Sequence, residues 1–204
     1  MEHVCLDLEG VLIPEIWAEV AEYTGEEQFK LTTQDLKDYS ELMDMRIDLV
    51  QSIGLSFLEI QSLVDKMEPF DGAREFIDWV RDNFQLTIVS DSFYELAWPL
   101  LRKLGTPSIN CHYLDIQNNE LKGYTLRQLE NKKKVVQGLK DMKFKVFASG
   151  DSYNDIQMLQ EADIGVFFQA PKHIREEFKE IEGVESHEDL KNLLIENSSF
   201  VGRT

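Results

Sequence analysis

Two acidic segments, each following a short apolar run, carry the residue types that could do chemistry. In the first, Asp7 and Glu9 lie two residues apart, directly before Gly10. In the second, residues 149–155 read Ser-Gly-Asp-Ser-Tyr-Asn-Asp and contain Asp151. Carboxylate oxygens are the ligands that a hard cation prefers. If the two apolar runs are neighbouring strands, Asp7 and Asp151 can share one cation, and the pattern predicts a magnesium site.

Two further segments could bind a phosphate. Within residues 86–92, a strand-like run leads to the hydroxyl of Ser90, and a helical pattern follows from residue 93. A hydroxyl beside free N–H groups at a helix N-terminus can seat a phosphate. One of the lysines at 132–134 could supply the positive charge such a site needs. Each signal alone has an ordinary explanation as a loop acid, a helix cap, a strand end or a solvated lysine face. Their order along the chain argues against coincidence.

A parallel sheet is needed to bring these segments together. Short apolar runs predict its buried strands at 3–8, 86–90, 144–149 and 164–168. Helical periodicity recurs at 72–83, 93–104, 131–142 and 153–162. This alternation predicts a doubly wound α/β fold, in which ligands bind at the carboxyl ends of the strands. A β-like stretch at 109–126, broken by two asparagines, predicts a hairpin of unassigned role.

The alternation is interrupted after the first predicted strand. Residues 14–69 contain no convincing strand, but they show helical spacing at 16–23, 36–50 and 57–67. Ser56 and Glu59 form a capping box before the last of these helices, and Gly54 can end the one before it. We therefore expect an α/β core domain of residues 1–13 and 70–204, with a small helical cap formed by residues 14–69.

Composition limits the class of partner. The chain has 204 residues, of which 43% are hydrophobic and 29% charged, an ordinary globular balance. Acidic residues outnumber basic ones 38 to 21, and the net charge of −17 would repel a nucleic-acid backbone. The sequence contains no run of about 18 apolar residues, so it predicts no membrane span. Cys5 and Cys111 fit buried, reduced thiols. We expect a cytoplasmic protein without nucleic-acid or membrane partners, and the sequence makes no prediction of its oligomeric state.

The order acid pair, hydroxyl, lysine and Gly-Asp-x-x-Asn-Asp resembles the four motifs of the haloacid dehalogenase superfamily. The resemblance covers nearly the whole chain, and within the superfamily the sequence looks like the phosphoserine phosphatase branch. It resembles in particular the bacterial bifunctional phosphoserine phosphatase/homoserine phosphotransferases. Shared with them are Leu-Asp-Leu-Glu-Gly-Val-Leu-x-Pro-Glu at 6–15, Ser-Asp-x-Phe-Tyr-Glu at 90–95 and Gly-Asp-Ser-Tyr-Asn-Asp at 150–155.

The resemblance implies a magnesium-dependent enzyme that works through an aspartyl-phosphate on Asp7. Glu9 stands where the family has its acid/base aspartate. Ser90 and Lys132 would hold the phosphoryl oxygens. Asp151 would bind Mg²⁺ together with Asp7 and the backbone carbonyl of Glu9. Water as acceptor would make the enzyme a phosphatase of phosphoserine, and homoserine as acceptor would make it a phosphotransferase.

The remaining implied roles concern the substrate. Asn154 and Asp155 would position the phosphate and the groups around the metal. Glu15 and Arg46, in the expected cap, match positions that hold the ammonium and carboxylate of an amino acid. Asp91 follows the phosphate seat, where its charge requires a cationic neighbour such as Lys132, Arg46 or a substrate ammonium.

Three departures from ordinary phosphoserine phosphatases leave the preferred substrate open. Glu9 replaces the commoner Asp, Val11 replaces Thr, and residues 91–92 replace Gly-Gly, although the bifunctional relatives share all three changes. The alternatives are a phosphatase of another small phosphomonoester, a non-catalytic protein that uses the cleft for binding, and a receiver domain. Glu15 with Arg46 favours a zwitterionic substrate over a sugar phosphate. A receiver domain has no helical insertion after its first strand.

Overall fold

The computed structural model describes residues 1–33, 35–36 and 38–201. Its strands are β1 (Glu2–Leu6), β2 (Gln85–Phe93), β3 (Ile109–Gln117), β4 (Glu120–Thr125), β5 (Lys145–Gly150), β6 (Ile164–Phe168) and β7 (Glu182–Val184). They form one sheet in the order β4-β3-β2-β1-β5-β6-β7. Every pairing is parallel except that of β3 with β4. The predicted α/β fold is confirmed, and the short edge strand β7 was not predicted.

The helices cover both faces of this sheet. They are α1 (Ile16–Thr24), α2 (Tyr39–Ser52), α3 (Phe57–Val64), α4 (Ala73–Asn83), α5 (Tyr94–Lys103), α6 (Asn131–Asp141), α7 (Ile156–Glu161), α8 (Lys172–Glu177) and α9 (His187–Asn197). Along β1, Val4 and Leu6 belong to the apolar cluster that includes residues of α4 and α9. Cys5 belongs to a second cluster with residues of α6 and α7. Because β1 is buried on both faces, its residues 4–6 form an apolar run, whereas Glu2 and His3 are buried polar side chains.

The strand order reverses at β1, which pairs with β2 on one side and β5 on the other. Leu6 lies opposite Ile88 in β2 and Ser149 in β5. The residues that follow these positions therefore emerge at one edge of the sheet. Such a switch point forms a crevice at the carboxyl ends of the strands.

Helices α1–α3 lie in the chain between β1 and α4, and we call them the helical segment. The capping box of Ser56 and Glu59 is confirmed. Gly54 has a φ of +69°, the left-handed conformation expected after a helix end. No single helix in the described part of the chain is long and apolar enough to span a membrane. Helices α2 and α3 pass that test only as a pair, bent by 110°.

The start of α2 differs from the prediction of a helix over 36–50. The helix begins at Tyr39, because the carboxylate of Asp38 accepts hydrogen bonds from the N–H groups of Ser40 and Glu41 and so caps its first turn. Position 37 lies outside the described residues. The helix predicted over 57–67 ends earlier, at Val64, and the one predicted over 153–162 begins as a 3₁₀ turn over Tyr153–Asp155.

The hairpin predicted within 109–126 is present as β3 and β4. Asn118 and Asn119 join the strands, with φ values of 52° and 67°. Two consecutive left-handed residues are typical of the type I′ turn, whose twist matches that of the strands. Asparagine tolerates this conformation better than other side chains that carry a Cβ.

The contact between β6 and α7 offers a test of the packing. A Cβ added to Gly165 would lie 2.3 Å from the carbonyl oxygen of Leu159, whereas one added to Gly138 on α6 would meet nothing within 4 Å. We expect Gly165→Ala to lower the free energy of unfolding by about 1–3 kcal/mol through overpacking. Gly138→Ala should raise it by about 0.5–1 kcal/mol, since alanine favours the helix. Urea unfolding of both variants measures the difference, and equal midpoints would contradict the packing described here.

Candidate active site

Asp7 lies directly after β1 and is buried, with 4% of its surface exposed. Its N–H donates to the carbonyl of Ser149, which fixes the backbone against β5. Its Oδ1 accepts the N–H of Leu8 at 2.7 Å, and its Oδ2 accepts Nζ of Lys132 at 2.8 Å. Burial and then the charge of Asp155 raise the pKa of Asp7 well above its ordinary value, although Lys132 opposes them. The carboxylate is thus held rigidly and needs more positive charge to remain ionised.

Lys132, in the first turn of α6, is the cation at the centre of the site. Its Nζ lies 2.7 Å from Asp155, 2.8 Å from Asp7 and 3.7 Å from Asp91. Burial alone would lower the pKa of Lys132, but these three carboxylates together raise it well above its ordinary value. The ammonium therefore stays charged, and one positive charge faces three acids.

The loop after β5 brings two more carboxylates to this edge. Asp155 is fully buried, and its Oδ2 accepts the N–H groups of Asp151 at 3.0 Å and Ser152 at 3.1 Å. Asp151 approaches the loop after β1 so closely that a Cβ on Gly10 would lie 2.4 Å from its carboxyl group. Gly10 also has a φ of +76°, so both its space and its backbone conformation require glycine.

Asp7, Asp151 and Asp155 can hold a metal ion. Carboxylate oxygens from the three residues lie within 4.8 Å of one another. Burial and the nearby charge of Asp155 raise the pKa of Asp151 to about 7, a sign of excess negative charge. A donor set made only of oxygen atoms suits a hard divalent cation, which would offset that charge. The arrangement fits such an ion.

Ser90 lies at the same edge of the sheet as Asp7 and is buried, with 2% of its surface exposed. It is within β2 rather than at its end, because the strand runs on to Phe93. The register between β2 and β3 shifts between Val89 and Phe93, so the pairing is irregular around Ser90. The Ser90 hydroxyl accepts the N–H of Ser92, and its carbonyl accepts the side-chain amide of Asn131. These bonds fix the orientation of the expected phosphate seat.

Asp91 points towards Lys132 and is surrounded by hydrogen-bond donors. The amide of Asn154 donates to its Oδ2 at 3.2 Å, and Nε2 of His112 lies 3.7 Å from its Oδ1. Nδ1 of His112 accepts the N–H of Arg127, so the imidazole proton is on Nε2, facing Asp91. Burial opposes ionisation, but Lys132 and His112 hold the pKa of Asp91 below its ordinary value. Asp91 is therefore ionised.

Glu9 and Glu15 lie together at the entrance to α1. Oε2 of Glu9 accepts the N–H of Ile16, the first residue of the helix, at 2.9 Å. Glu15 is open to the cleft, yet partial removal from water raises its pKa to about 9, with the charge of Glu9 and a hydrogen bond between the two carboxyl groups adding to the effect. A cationic group beside Glu15 would oppose this shift and lower its pKa.

Arg46, on α2, is buried with its guanidinium over the ring of Trp17, 5.0 Å from the centroid. Its Nη2 donates to the carbonyl of Leu31 at 2.8 Å and, more weakly, to that of Phe29 at 3.5 Å. Its Nε is buried and has no partner among the described residues. A buried N–H without an acceptor is costly, and this atom is itself shielded from the surface, so it is a strained feature of the packing around Arg46.

These side chains line one cavity of about 570 Å³ between the sheet edge and the helical segment. The predicted site residues in its wall are Asp7, Glu9, Glu15, Arg46, Ser90, Asp91, Lys132, Asp151 and Asn154. Asp155 lies behind them and holds Lys132. Tyr39 and His112 also line the cavity, and the sequence analysis missed both, because neither belongs to a motif. An aromatic residue at the start of α2 gave no signal of its own.

Solved structures share this fold. A substrate-bound phosphoserine phosphatase complex aligns with a TM-score of 0.78 at 20% identity, covering 95% of this chain and 96% of the other. A phospho-aspartyl intermediate analogue of phosphoserine phosphatase aligns with a TM-score of 0.77 at 22% identity, covering 94% of this chain and 98% of the other. At these identities the likeness concerns the fold.

Sequence comparison identifies the family of the chain. The phosphoserine phosphatase ThrH of Pseudomonas aeruginosa is 45% identical over 200 residues, which is 98% of each chain. A phosphoserine phosphatase of Pseudomonas syringae pv. tomato is 42% identical over 200 residues, covering 98% of this chain and 84% of the relative. The model of the haloacid dehalogenase-like hydrolases matches residues 1–163. This chain belongs to the haloacid dehalogenase-like hydrolase family.

Proposed function

We propose that this protein is a Mg²⁺-dependent phosphoserine phosphatase that also transfers the phosphoryl group to homoserine, with Asp7 as nucleophile. The observation that carries the proposal is the single cavity in which Asp7 and Lys132 face Glu15 and Arg46. The first pair suits a phosphate, and the second pair suits the two charges of an amino acid. Both Pseudomonas relatives are named phosphoserine phosphatases, which supports this choice of substrate.

The first half-reaction forms an aspartyl-phosphate on Asp7. The carboxylate is already oriented by the N–H of Leu8 and by Lys132, so little reorganisation is needed for attack on phosphorus. Lys132 and the Ser90 hydroxyl would hold phosphoryl oxygens. Bound Mg²⁺, held by Asp7, Asp151 and the backbone carbonyl of Glu9, would neutralise charge on the nucleophile and the phosphate. Asp155 and Asn154 would keep Lys132 and Asp91 in position.

Proton transfer is assigned to Glu9. The departing serine alkoxide needs a proton, and Glu9 lies in the cavity wall beside Glu15. Glu9 would have to enter the substrate complex protonated to donate that proton, and the resulting carboxylate would later accept one from the second substrate. Water as second substrate regenerates Asp7 and releases phosphate, whereas the hydroxyl of homoserine yields phosphohomoserine. One covalent intermediate thus serves both reactions.

Recognition of the head group is assigned to the helical segment, which we propose acts as a cap over residues 1–13 and 70–204. The position of Arg46 in the cavity wall supports a role in binding the substrate carboxylate, because a planar guanidinium matches a carboxylate. Glu15 would bind the ammonium group after losing its proton, since a cation beside a carboxyl group lowers its pKa.

A cytoplasmic location is also proposed, because Cys5 and Cys111 are both buried and unpaired.

The main reaction is tested with purified protein, phosphoserine and Mg²⁺, with and without homoserine. We expect release of phosphate, part of which shifts to phosphohomoserine when homoserine is present. Asp7→Asn should reduce both products by at least about 10³-fold, because an amide cannot form the covalent intermediate. The products are followed by ³¹P NMR, and Asp115→Asn, at an exposed position on β3, serves as control.

Chelation of divalent ions with EDTA should stop both reactions, and Mg²⁺ should restore them. Equal activity of the wild type and Asp7→Asn would overturn the proposed nucleophile. Activity towards sugar phosphates with none towards phosphoserine would favour a phosphatase of another phosphomonoester.

Head-group recognition is tested with Arg46→Lys. We expect kcat/KM for phosphoserine to fall about 30-fold, which corresponds to loss of about 2 kcal/mol from a charge-assisted pair. Hydrolysis of p-nitrophenyl phosphate, which lacks the amino-acid group, should change less than about threefold. Arg102→Lys, at an exposed arginine on α5 outside the cavity wall, is the control. An equal loss with both substrates would assign Arg46 a structural role instead.

A further inference from the structure

The β3–β4 hairpin contacts the helical segment at the start of α3. The carbonyl of Asn119 accepts the N–H of Phe57 at 2.9 Å, and Oδ1 of the same residue accepts the N–H of Leu58 at 2.9 Å. These are N–H groups of the first turn of α3, which have no partner within the helix. Because Ser56 caps only the N–H of Glu59, the turn of the hairpin completes the cap of α3.

A second contact joins the hairpin to the end of α2. The side-chain amide of Gln51 donates to the carbonyl of Leu121, in β4, at 2.8 Å. Residues of α2 and β4 face each other along this seam. The edge of the sheet that β4 would otherwise leave bare is therefore partly covered by the helical segment.

A third contact lies at the start of α2, inside the cavity. The hydroxyl of Tyr39 donates to the backbone carbonyl of Asp91 at 2.7 Å. The Tyr39 ring packs edge-on against His112 and Tyr124, with centroids 6.0 Å and 6.3 Å away. Asp91 is next to Ser90 in the expected phosphate seat, so Tyr39 joins the helical segment to the strand that carries this seat.

We propose that the β3–β4 hairpin and the end of β2 are the docking edge on which the helical segment closes, with Tyr39 as the positioning residue that links closure to the phosphate seat. This inference rests on the proposed function, because its consequence is the choice between two acceptors. Docking keeps water away from the aspartyl-phosphate, and homoserine competes better when water is excluded. The acceptor ratio therefore depends on bonds that do not involve the reacting carboxylate.

All of the contacts are of a kind that can open and reform. The hydrogen bonds at Asn119, Gln51 and Tyr39 join polar groups that water can satisfy once the elements separate. Each bond of this type shifts an opening equilibrium by about fivefold. The docked state is thus a balance that single substitutions can move.

Tyr39→Phe tests the link to the phosphate seat, because it keeps the ring and removes only the hydroxyl donor. We expect the ratio of phosphohomoserine to free phosphate to fall about fivefold at fixed homoserine concentration. Both products come from one intermediate, so defects in folding or in attack by Asp7 cancel in this ratio. Tyr23→Phe is the control, since Tyr23 on α1 is 57% exposed. An unchanged ratio in Tyr39→Phe would overturn the assignment.

Asn119→Gly tests the docking edge without relying on activity. Glycine accepts the left-handed backbone at this position, so the turn is retained while the bond to Leu58 is lost. We expect the Leu58 amide to exchange with deuterium about fivefold faster, measured by NMR. Asn118→Gly, at the other left-handed residue of the turn, should leave this exchange unchanged. Equal exchange in the two variants would contradict the docking contact.

The two inferences fail in different ways. If the wild type neither hydrolyses phosphoserine nor phosphorylates homoserine, the proposed function is wrong, and the exchange rates still decide whether the hairpin docks α3. If the wild type makes both products but the Tyr39→Phe ratio matches that of Tyr23→Phe, only the role of Tyr39 in acceptor choice is lost.

Discussion

The buried ammonium of Lys132 is the interaction on which the site depends. Three carboxylates approach it, those of Asp7, Asp91 and Asp155, and its positive charge offsets their mutual repulsion. Removing one partner of a buried ion cluster leaves uncompensated charge and costs far more than the cluster contributes when intact. Asp151 adds a further carboxylate at the same edge, and carboxylate oxygens of Asp7, Asp151 and Asp155 lie within 4.8 Å of one another. One lysine against these carboxylates leaves a deficit of positive charge, which is the physical reason that the site suits a divalent cation.

The sheet determines which residues can reach that lysine. Leu6 lies opposite Ile88 and Ser149 in the two neighbouring strands. One residue after Leu6 is Asp7, two residues after Ile88 is Ser90, and two residues after Ser149 is Asp151. All three therefore lie at the same edge of the sheet. α6 then brings Lys132 over the same edge. A shift of one residue in any pairing would turn the side chain to the other face. The close packing at Gly10 and Gly150, where a Cβ would lie within about 2.6 Å of a carboxyl group, leaves little freedom for such a shift.

Much of this could be predicted from sequence because the signals are local. The central strand β1 ends in three apolar residues, and the acids Asp7 and Glu9 follow at once, so both the element and the expected ligands stand in one short segment. The hairpin turn was readable from two asparagines. The start of α2 at Tyr39 was missed although its cause, the cap by Asp38, is local. The roles of Tyr39 and His112 could not be predicted, because they depend on contacts between residues far apart in the chain. The strand β7 has three residues and no periodicity to detect.

Glu9 shows how the chemistry and the helical segment are coupled. Its Oε2 accepts the N–H of Ile16, so the proposed acid/base group also holds the first residue of α1. An aspartate would be shorter by one methylene, about 1.5 Å of reach, and could not serve both sites from the same backbone position. Since Glu15 precedes Ile16 directly, the contact also sets the distance between the two carboxyl groups. Motion of α1 would therefore change the position of the group assigned to proton transfer, which links access of the acceptor to the proton it must lose.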